Sequence, residues 1–482
     1  PTTAHVTVTM WNQPVLVESL VVFAIVLCVH SVVWDRFSWS ALVLAVQAFY
    51  IQFKWDHLLR LGGAVFQFRT TSNSGLLPSC MVIPLLGIVM KERCRAAGIV
   101  YFERLGIVVA STGMMIALFL SVIALGITKP VPTNTCMLSG IAGTLIIYTM
   151  KHSLTVSEVI EVLEVLLIFV YLSMILLYLL PRCFTPGEAL LILTGLSFVL
   201  NQLINGPAGP LLRGAFFFMD STTWTSSMFF HMMTAVLSLG VVMPWLYRLI
   251  RRNPLTWLFQ LLSQTQLRIH LLCYWTLLAA LACAIVLYQN IKRSSGSKKH
   301  QASTLTRKYF HFIVVATYYV RYFTIKPFGQ TLRQLLSLFL DERDSGPLIL
   351  THIYLLLGMS FPVWLVPRPC APKGALTGAG ALAPYSGVLA VGVGDSVASI
   401  FGSTMGEVKW PGTKKTFEGT MSAIFAQIIA VALIVIFDSS VDLNASYSWI
   451  LVSITLVSFL EAYTTQVDNL LLPLYLHILL ML

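Results

Sequence analysis

Apolar residues run along this chain in long stretches separated by short polar ones, and the stretches have the length of a bilayer. Those at 14–34, 106–126, 159–180, 227–246, 269–288, 348–366 and 421–437 are each long enough to cross roughly 30 Å of hydrocarbon as a helix. Shorter apolar runs lie near 42–52, 76–90, 137–150, 190–204, 448–460 and 470–482. The alternation that marks the lipid-facing strands of a barrel is absent, so helices are the only spanning element left. The pattern predicts an all-α, polytopic integral membrane protein with about a dozen or more transmembrane helices. The 14–34 run exceeds the apolar core of a signal peptide and further spans follow it, which predicts a retained anchor.

Composition sharpens this picture. Hydrophobic residues make up 57% of the 482 residues and charged ones only 11%, too few to solvate a soluble surface of that size. The net charge of +11 does not imply a nucleic-acid partner, because the Lys and Arg residues cluster between apolar runs, as cytosolic loops do. Eight cysteines without a CxxC pair give neither a disulfide framework nor a zinc site. The sharpest break is "NIKRSSGSKKHQASTLTRK" at 290–308, with six basic residues. It reads as a basic cytosolic linker between an N-terminal multi-span membrane region (1–289) and a C-terminal membrane domain (309–482).

In the N-terminal region one stretch stands out. Glu158, Glu161 and Glu164 recur every three residues in "SLTVSEVIEVLEVLLIF" and therefore share one side of a helix. Either Ser153 or Thr155 caps that helix and the acids favour its N-terminal dipole, or Glu164 serves a polar chamber deeper in the membrane.

The chemistry concentrates in "VGVGDSVASIFGSTMGEVKWPGTKKTFEGT", residues 391–420. Gly392, Gly394, Gly402 and Gly406 allow close backbone approach, and Ser396, Ala398 and Ser399 are small. Asp395 ends an apolar run, an expensive position for an acid without a task. Lys409, Lys414 and Lys415 flank a Pro411–Gly412 turn, and a helix is expected to begin near Thr416. A helix N-terminus beside lysines is an anion site. The combination suits a polyphosphate at the membrane surface, with Asp395 and Glu418 placed to hold Mg²⁺ or to orient a hydroxyl. It is not the GxxxxGK[ST] loop.

"GDSVASIFG…KWPGTKKTFEGT" resembles the signature of the dolichol kinase and polyprenol kinase family, itself similar to the membrane-embedded phosphatidate cytidylyltransferases. The likeness extends to "RKYFH" (307–311), "DERDSGPLILTHIYLLLG" (341–358) and "EAYTTQVDNLLLP" (461–473), and in the N-terminal region to "NSGLLP", "KERC" and the three-glutamate helix. The resemblance implies a CTP-dependent kinase of the endoplasmic reticulum membrane, its nucleotide site facing the cytosol. It would phosphorylate the terminal hydroxyl of dolichol, giving the lipid carrier for protein N-glycosylation. Neither donor nor lipid follows from composition.

Carried onto this sequence, the resemblance implies that CTP is held by Gly392, Gly394, Ser396, Gly402, Gly406, Lys409, Gly412, Thr413, Thr416, Gly419 and Thr420. Lys414 and Lys415 would neutralise phosphate oxygens. Asp395 would hold Mg²⁺ or take the hydroxyl proton, with Glu418 beside it. Further candidates are Arg307, Lys308 and His311 in "RKYFH", Asp344 as a second metal ligand, and Glu461, Asp468 and Asn469 as the rest of a polar chamber. Glu461 and Asp468 are seven residues apart, hence on one helical face if the helix continues. The partners expected are a dolichol or polyprenol lipid and the membrane itself; no oligomeric state is implied.

Topology and one departure complete the reading. A basic linker and a nucleotide loop on the same side require an even number of crossings between them, whereas the segments at 309–323, 348–366 and 384–401 would make three. The family carries an additional span between "RKYFH" and "RYFTIKPFG", for which "VVATYYVRYF" (314–323) leaves no room, and "NQLINGPAGPLLRGAFFFMD" looks shortened too. The apolar run 309–320 has 12 residues, and runs of roughly 10–14 are more often buried or re-entrant than spanning. The sequon Asn444-Ala-Ser446, one span beyond the nucleotide loop, agrees with a lumenal loop there. Rival functions remain: a CTP-dependent lipid cytidylyltransferase, another polyprenol or isoprenoid alcohol kinase, and a polytopic lipid transporter, which would be expected to show internal repeats.

Overall fold

The computed structural model describes residues 13–61, 68–69, 73–127, 133–205, 351–366, 378–438, 441–443, 446–464, 466 and 468–482, with scattered residues between 240 and 277. The linker at 290–308, Arg307, Lys308, His311, Asp344, the run 309–323 and Asn444 lie outside the described residues, as do most of the apolar runs at 227–246 and 269–288.

Among the described residues the chain is all-helical, with one isolated β-bridge and no named strand. The helices are α1 (Gln13–Val32), α2 (Arg36–Leu61), α3 (Leu76–Ala96), α4 (Val100–Ile127), α5 (Thr133–Ser153), α6 (Val156–Leu179), α7 (Pro186–Asn205), α8 (Met243–Ile250), α9 (Thr351–Leu365), α10 (Ser396–Thr404), α11 (Phe417–Phe437), α12 (Tyr447–Tyr463) and α13 (Asp468–Leu480). A 3₁₀ stretch, Gly378–Tyr385, and a π stretch, Val388–Asp395, precede α10.

Among the described residues four helices are long and apolar enough to cross a membrane: α1, α4, α6 and α11. A fifth span is added if the bent pair Gly378–Tyr385 and Val388–Thr404, which meet at 65°, counts as one. Most of the predicted runs in the described residues coincide with helices, although α9, α12 and α13 are shorter than a full span. The surface is that of a membrane protein. On α11 the exposed residues include Phe425, Ile429, Leu433 and Ile436, while Thr420 and Gln427 are buried. A soluble protein would reverse that arrangement.

The described residues form two compact units, one of those up to Thr194 together with those from Thr351 onward, the other of those between Gly195 and 277. Within the first unit, helices from both sides of the basic segment pack together: α1 lies against α12, and α3 against α13. The last helix is the core of this unit, since every residue of α13 after Asp468 is buried. Polar bonds fix it. Tyr475 Oη donates to the Pro78 carbonyl at 2.6 Å, His477 Nδ1 meets the Ala383 carbonyl at 3.0 Å and Trp449 Nε1 donates to the Leu479 carbonyl at 2.8 Å.

Local chemistry explains several boundaries. Thr155 starts α6, its backbone N–H and hydroxyl both donating to Glu158 at 2.7 and 2.8 Å, so the first acid of the glutamate helix is a capping group. Arg104 lies 3.9 Å from the same carboxylate. Glu164 is partly exposed.

Candidate active site

The 391–420 segment folds as a broken helix, a hairpin-like loop and a long helix. The π stretch carries Gly392, Gly394 and Asp395 into the interior, all three buried. Single π turns are frequent at functional sites because the extra residue per turn re-aims a side chain. Gly394 faces α11, where an added Cβ would lie 2.8 Å from Gln427 Nε2. Further on, α10 and α11 touch through glycines: a Cβ on Gly402 would lie 2.8 Å from Thr416 Oγ1, and one on Gly419 would lie 2.7 Å from the Ala398 carbonyl. These two glycines let the helices meet backbone to backbone. Ser396 is buried, its hydroxyl 3.4 Å from the Val391 carbonyl. Gly406 is packed against Thr416.

The loop between them is a small hairpin. Lys409 and Thr416 form the antiparallel bridge, the Trp410 N–H donates to the Lys415 carbonyl at 2.9 Å and the Thr413 N–H to the Trp410 carbonyl at 3.1 Å. Pro411 and Gly412 occupy the corner, with Gly412 at φ +74°, the left-handed conformation that the third residue of a type II turn requires. Thr413 Oγ1 accepts from the Lys415 N–H at 3.2 Å, tightening that turn. Thr416 is the N-cap of α11, accepting from the Gly419 N–H at 3.2 Å, as the sequence predicts.

Trp410 pins the hairpin down. Its indole N–H donates to Thr420 Oγ1 at 2.9 Å, and its ring packs against Phe417, Phe459 and Tyr463 at centroid distances of 5.3, 5.5 and 5.7 Å. Lys409 and Lys414 project into the open on this hairpin, both exposed.

Lys415 turns inward. Its ammonium donates to the Glu461 carbonyl oxygen at 2.8 Å and pairs with the Glu461 carboxylate. Asp468 and Asp395 lie within electrostatic reach of the same ammonium. Burial pushes Lys415 down, but Glu461, Asp468 and Asp395 more than offset that and hold it above the ordinary lysine value. Lys415 and Asp468 are half-buried, Lys415 with 33% of its side chain exposed, whereas Glu461 and Asp395 are buried.

Two expectations change here. Glu461 and Asp468 do not share a helical face, because α12 ends at Tyr463, Thr464 is extended (ψ 137°), and α13 begins at Asp468. The acids come from two helices and converge on one lysine. Glu418 does not face this cluster through any contact seen here; its carboxylate accepts from the Val408 N–H at 3.1 and 3.3 Å, closing the base of the hairpin. Asn469 is buried, its N–H donating to Asp468 Oδ1 at 3.0 Å while its own Oδ1 meets no partner.

Sequence reasoning missed two features. Trp410 reads as one aromatic among many, and only its place before a Pro-Gly turn marked it. Thr464 and Gln466 fall inside the family-like run 461–473, but nothing in their type or spacing marked them as the anchors of the turn between the two acids.

Among the described residues no three His, Cys, Asp or Glu side chains are grouped to hold a metal ion by themselves. Mg²⁺ needs less, one or two carboxylates with the remainder from phosphate and water. Asp395 and Asp468 beside Lys415 fit that demand.

Helices that face lipid with apolar side chains, and a hairpin lysine that meets carboxylates from three other elements, define an integral-membrane protein with charge concentrated at one loop. Comparison with known proteins narrows this. The dolichol kinase family model matches residues 1–320, 318–356 and 354–398. The chain is 68% identical to the dolichol kinases of Bos taurus and Homo sapiens, each alignment covering 97% of this chain and 96% of the relative. It is 28% identical to that of Saccharomyces cerevisiae over 47% of this chain and 44% of the relative. No solved structure matches. The chain belongs to the dolichol kinase family.

The alignments also bear on the missing span. Both mammalian ones run over 518 positions against a chain of 482 residues, so those relatives carry residues that this chain lacks. The first two stretches of the family match meet at 318–320, inside the segment where the sequence leaves no room for another span.

Proposed function

We propose that this chain transfers the γ-phosphate of CTP to the terminal hydroxyl of dolichol, as a multi-pass protein of the endoplasmic reticulum membrane with about a dozen crossings and the hairpin facing the cytosol. Family membership supports the class of reaction, phosphoryl transfer to a lipid alcohol. The observation that carries the site is the convergence of Glu461, Asp468 and Asp395 on Lys415, on the hairpin that also carries exposed Lys409 and Lys414.

Phosphoryl transfer asks a protein for alignment and charge neutralisation more than for covalent chemistry. Lys409 and Lys414 attract the phosphates from solvent. Lys415, fixed by Glu461 and kept cationic, neutralises oxygens at the floor of the site. Mg²⁺ bound at Asp395 and Asp468 would supply charge neutralisation to the phosphates. The carboxylate of Asp395, buried at the end of the π stretch, holds the alcohol's proton or that ion. Glu418 keeps the hairpin closed so that the lysines stay aimed.

The test uses membranes containing the whole chain, CTP labelled in the γ-phosphate, and dolichol. Dolichyl phosphate and CDP are expected, and Asp395→Asn is expected to abolish them while the protein still accumulates. Pyrophosphate and a CDP-lipid would instead indicate cytidylyl transfer. Wild-type turnover in Asp395→Asn would remove the site as assigned.

A further inference from the structure

The two acids that meet Lys415 are joined by the short segment 464–467, and its described residues, Thr464 and Gln466, bond to residues from the first half of the chain. Thr464 Oγ1 donates to Glu18 Oε1 of α1 at 2.7 Å. Glu18 is completely buried and also accepts from Asn73 Nδ2 at 3.1 Å. Gln466 Nε2 donates to the Asn73 carbonyl at 3.1 Å and to its side-chain oxygen, while Gln466 Oε1 accepts from Thr185 Oγ1 at 2.8 Å. Thr185 in turn caps α7, accepting from the Glu188 N–H at 3.2 Å, and Glu188 pairs with Arg69 at 2.5 Å.

Inside the segment the Gln466 N–H donates to Thr464 Oγ1 at 3.3 Å and the Asp468 N–H to the Gln466 carbonyl at 2.8 Å. Gly75, at φ +60°, lies so close to Gln466 that any Cβ there would occupy the amide's place. Thr464, Gln466 and Glu18 are all nearly or fully buried.

We propose that Glu18, Asn73 and Thr185 form a clamp whose task is to fix the spacing of Glu461 and Asp468, making Thr464 and Gln466 positioning residues for phosphoryl transfer and the N-terminal helices part of the working enzyme. The physical reason is leverage. Glu461 lies in the last turn of one helix and Asp468 begins the next, so their separation is set by the backbone of the segment between them. Outer partners of charged ligands commonly govern function by tenfold or more while touching no substrate. The inference rests on the reading of Glu461 and Asp468 as site carboxylates.

The test compares Thr464→Val, which keeps shape but removes the donor to Glu18, with Thr464→Ser, which keeps the donor, and adds Gln466→Ala. Each is assayed in the full chain with CTP, Mg²⁺ and dolichol, as turnover per folded molecule. Thr464→Val and Gln466→Ala are expected to lower kcat about tenfold and to raise the half-saturating Mg²⁺ several-fold, with KM for dolichol within twofold. Thr464→Ser is expected to restore both. Unchanged kcat and Mg²⁺ dependence in Thr464→Val and Gln466→Ala, alongside an inactive Asp395→Asn, would overturn the clamp alone. A loss of folded protein with normal turnover in the remainder would reduce it to packing and overturn it as well. Full activity in Asp395→Asn would mean that the underlying site reading had failed first.

Discussion

Replacing Lys415 by Met removes an ammonium that faces Glu461, Asp468 and Asp395 together. Two losses follow, and they are separable. The first is stability. Taking one partner from a fully buried ion pair costs about 3–5 kcal/mol, because a charge is left without compensation. Lys415 is 33% exposed, so water reaches the pair and part of that cost disappears, leaving about 1–3 kcal/mol. The second is catalysis, where removing one fixed group that meets developing charge typically costs about 10²–10³ in kcat.

A second variant, Lys415→Met with Glu461→Gln, removes the orphaned carboxylate charge. It is expected to recover most of the thermal midpoint in detergent and none of the turnover. The assay is dolichyl phosphate formed per folded molecule, with folded protein measured by size-exclusion chromatography after heating. Retention of more than about a tenth of wild-type turnover by the single variant, or recovery by the double one, would refute the role given to the lysine. The pair also has a pH signature. Lys415 is held above its ordinary value of about 10.4 when folded and returns to that value when unfolded, so its contribution is complete below about pH 10 and fades as pH rises past the folded value.

Trp410→Ala should lower stability by about 2–4 kcal/mol, since it empties a half-buried aromatic cluster and removes the donor to the Thr420 hydroxyl; a heating midpoint within about 1 °C of native would contradict that. Lys414→Ala, at an exposed position, should change stability by less than about 0.5 kcal/mol yet raise KM for CTP, more at low salt than at high. Equal KM values at both salt concentrations would show that Lys414 does not attract the nucleotide.

How much of this was readable in advance differs from residue to residue. The start of α11 at Thr416 was legible because an N-cap is satisfied by its own next three residues, and the corner at Pro411–Gly412 because its conformation depends on those two side chains alone. The glycines of 392–419 announced close approach but not its partner: at Gly402 and Gly419 that partner is a neighbouring helix. Glu418 announced an acid near a phosphate site, yet it serves the Val408 N–H, a choice set by how the hairpin closes.

By itself the sequence determined that the chain is helical and lives in a membrane, because burying twenty apolar residues in lipid is a local decision that each segment makes alone. It also marked the lysine hairpin and Asp395 as the place where charge is concentrated. Only the tertiary structure decided which acids meet Lys415. The break after Tyr463 is stabilised by Glu18, 446 positions before Thr464, and a bond between residues so far apart leaves no periodicity to read.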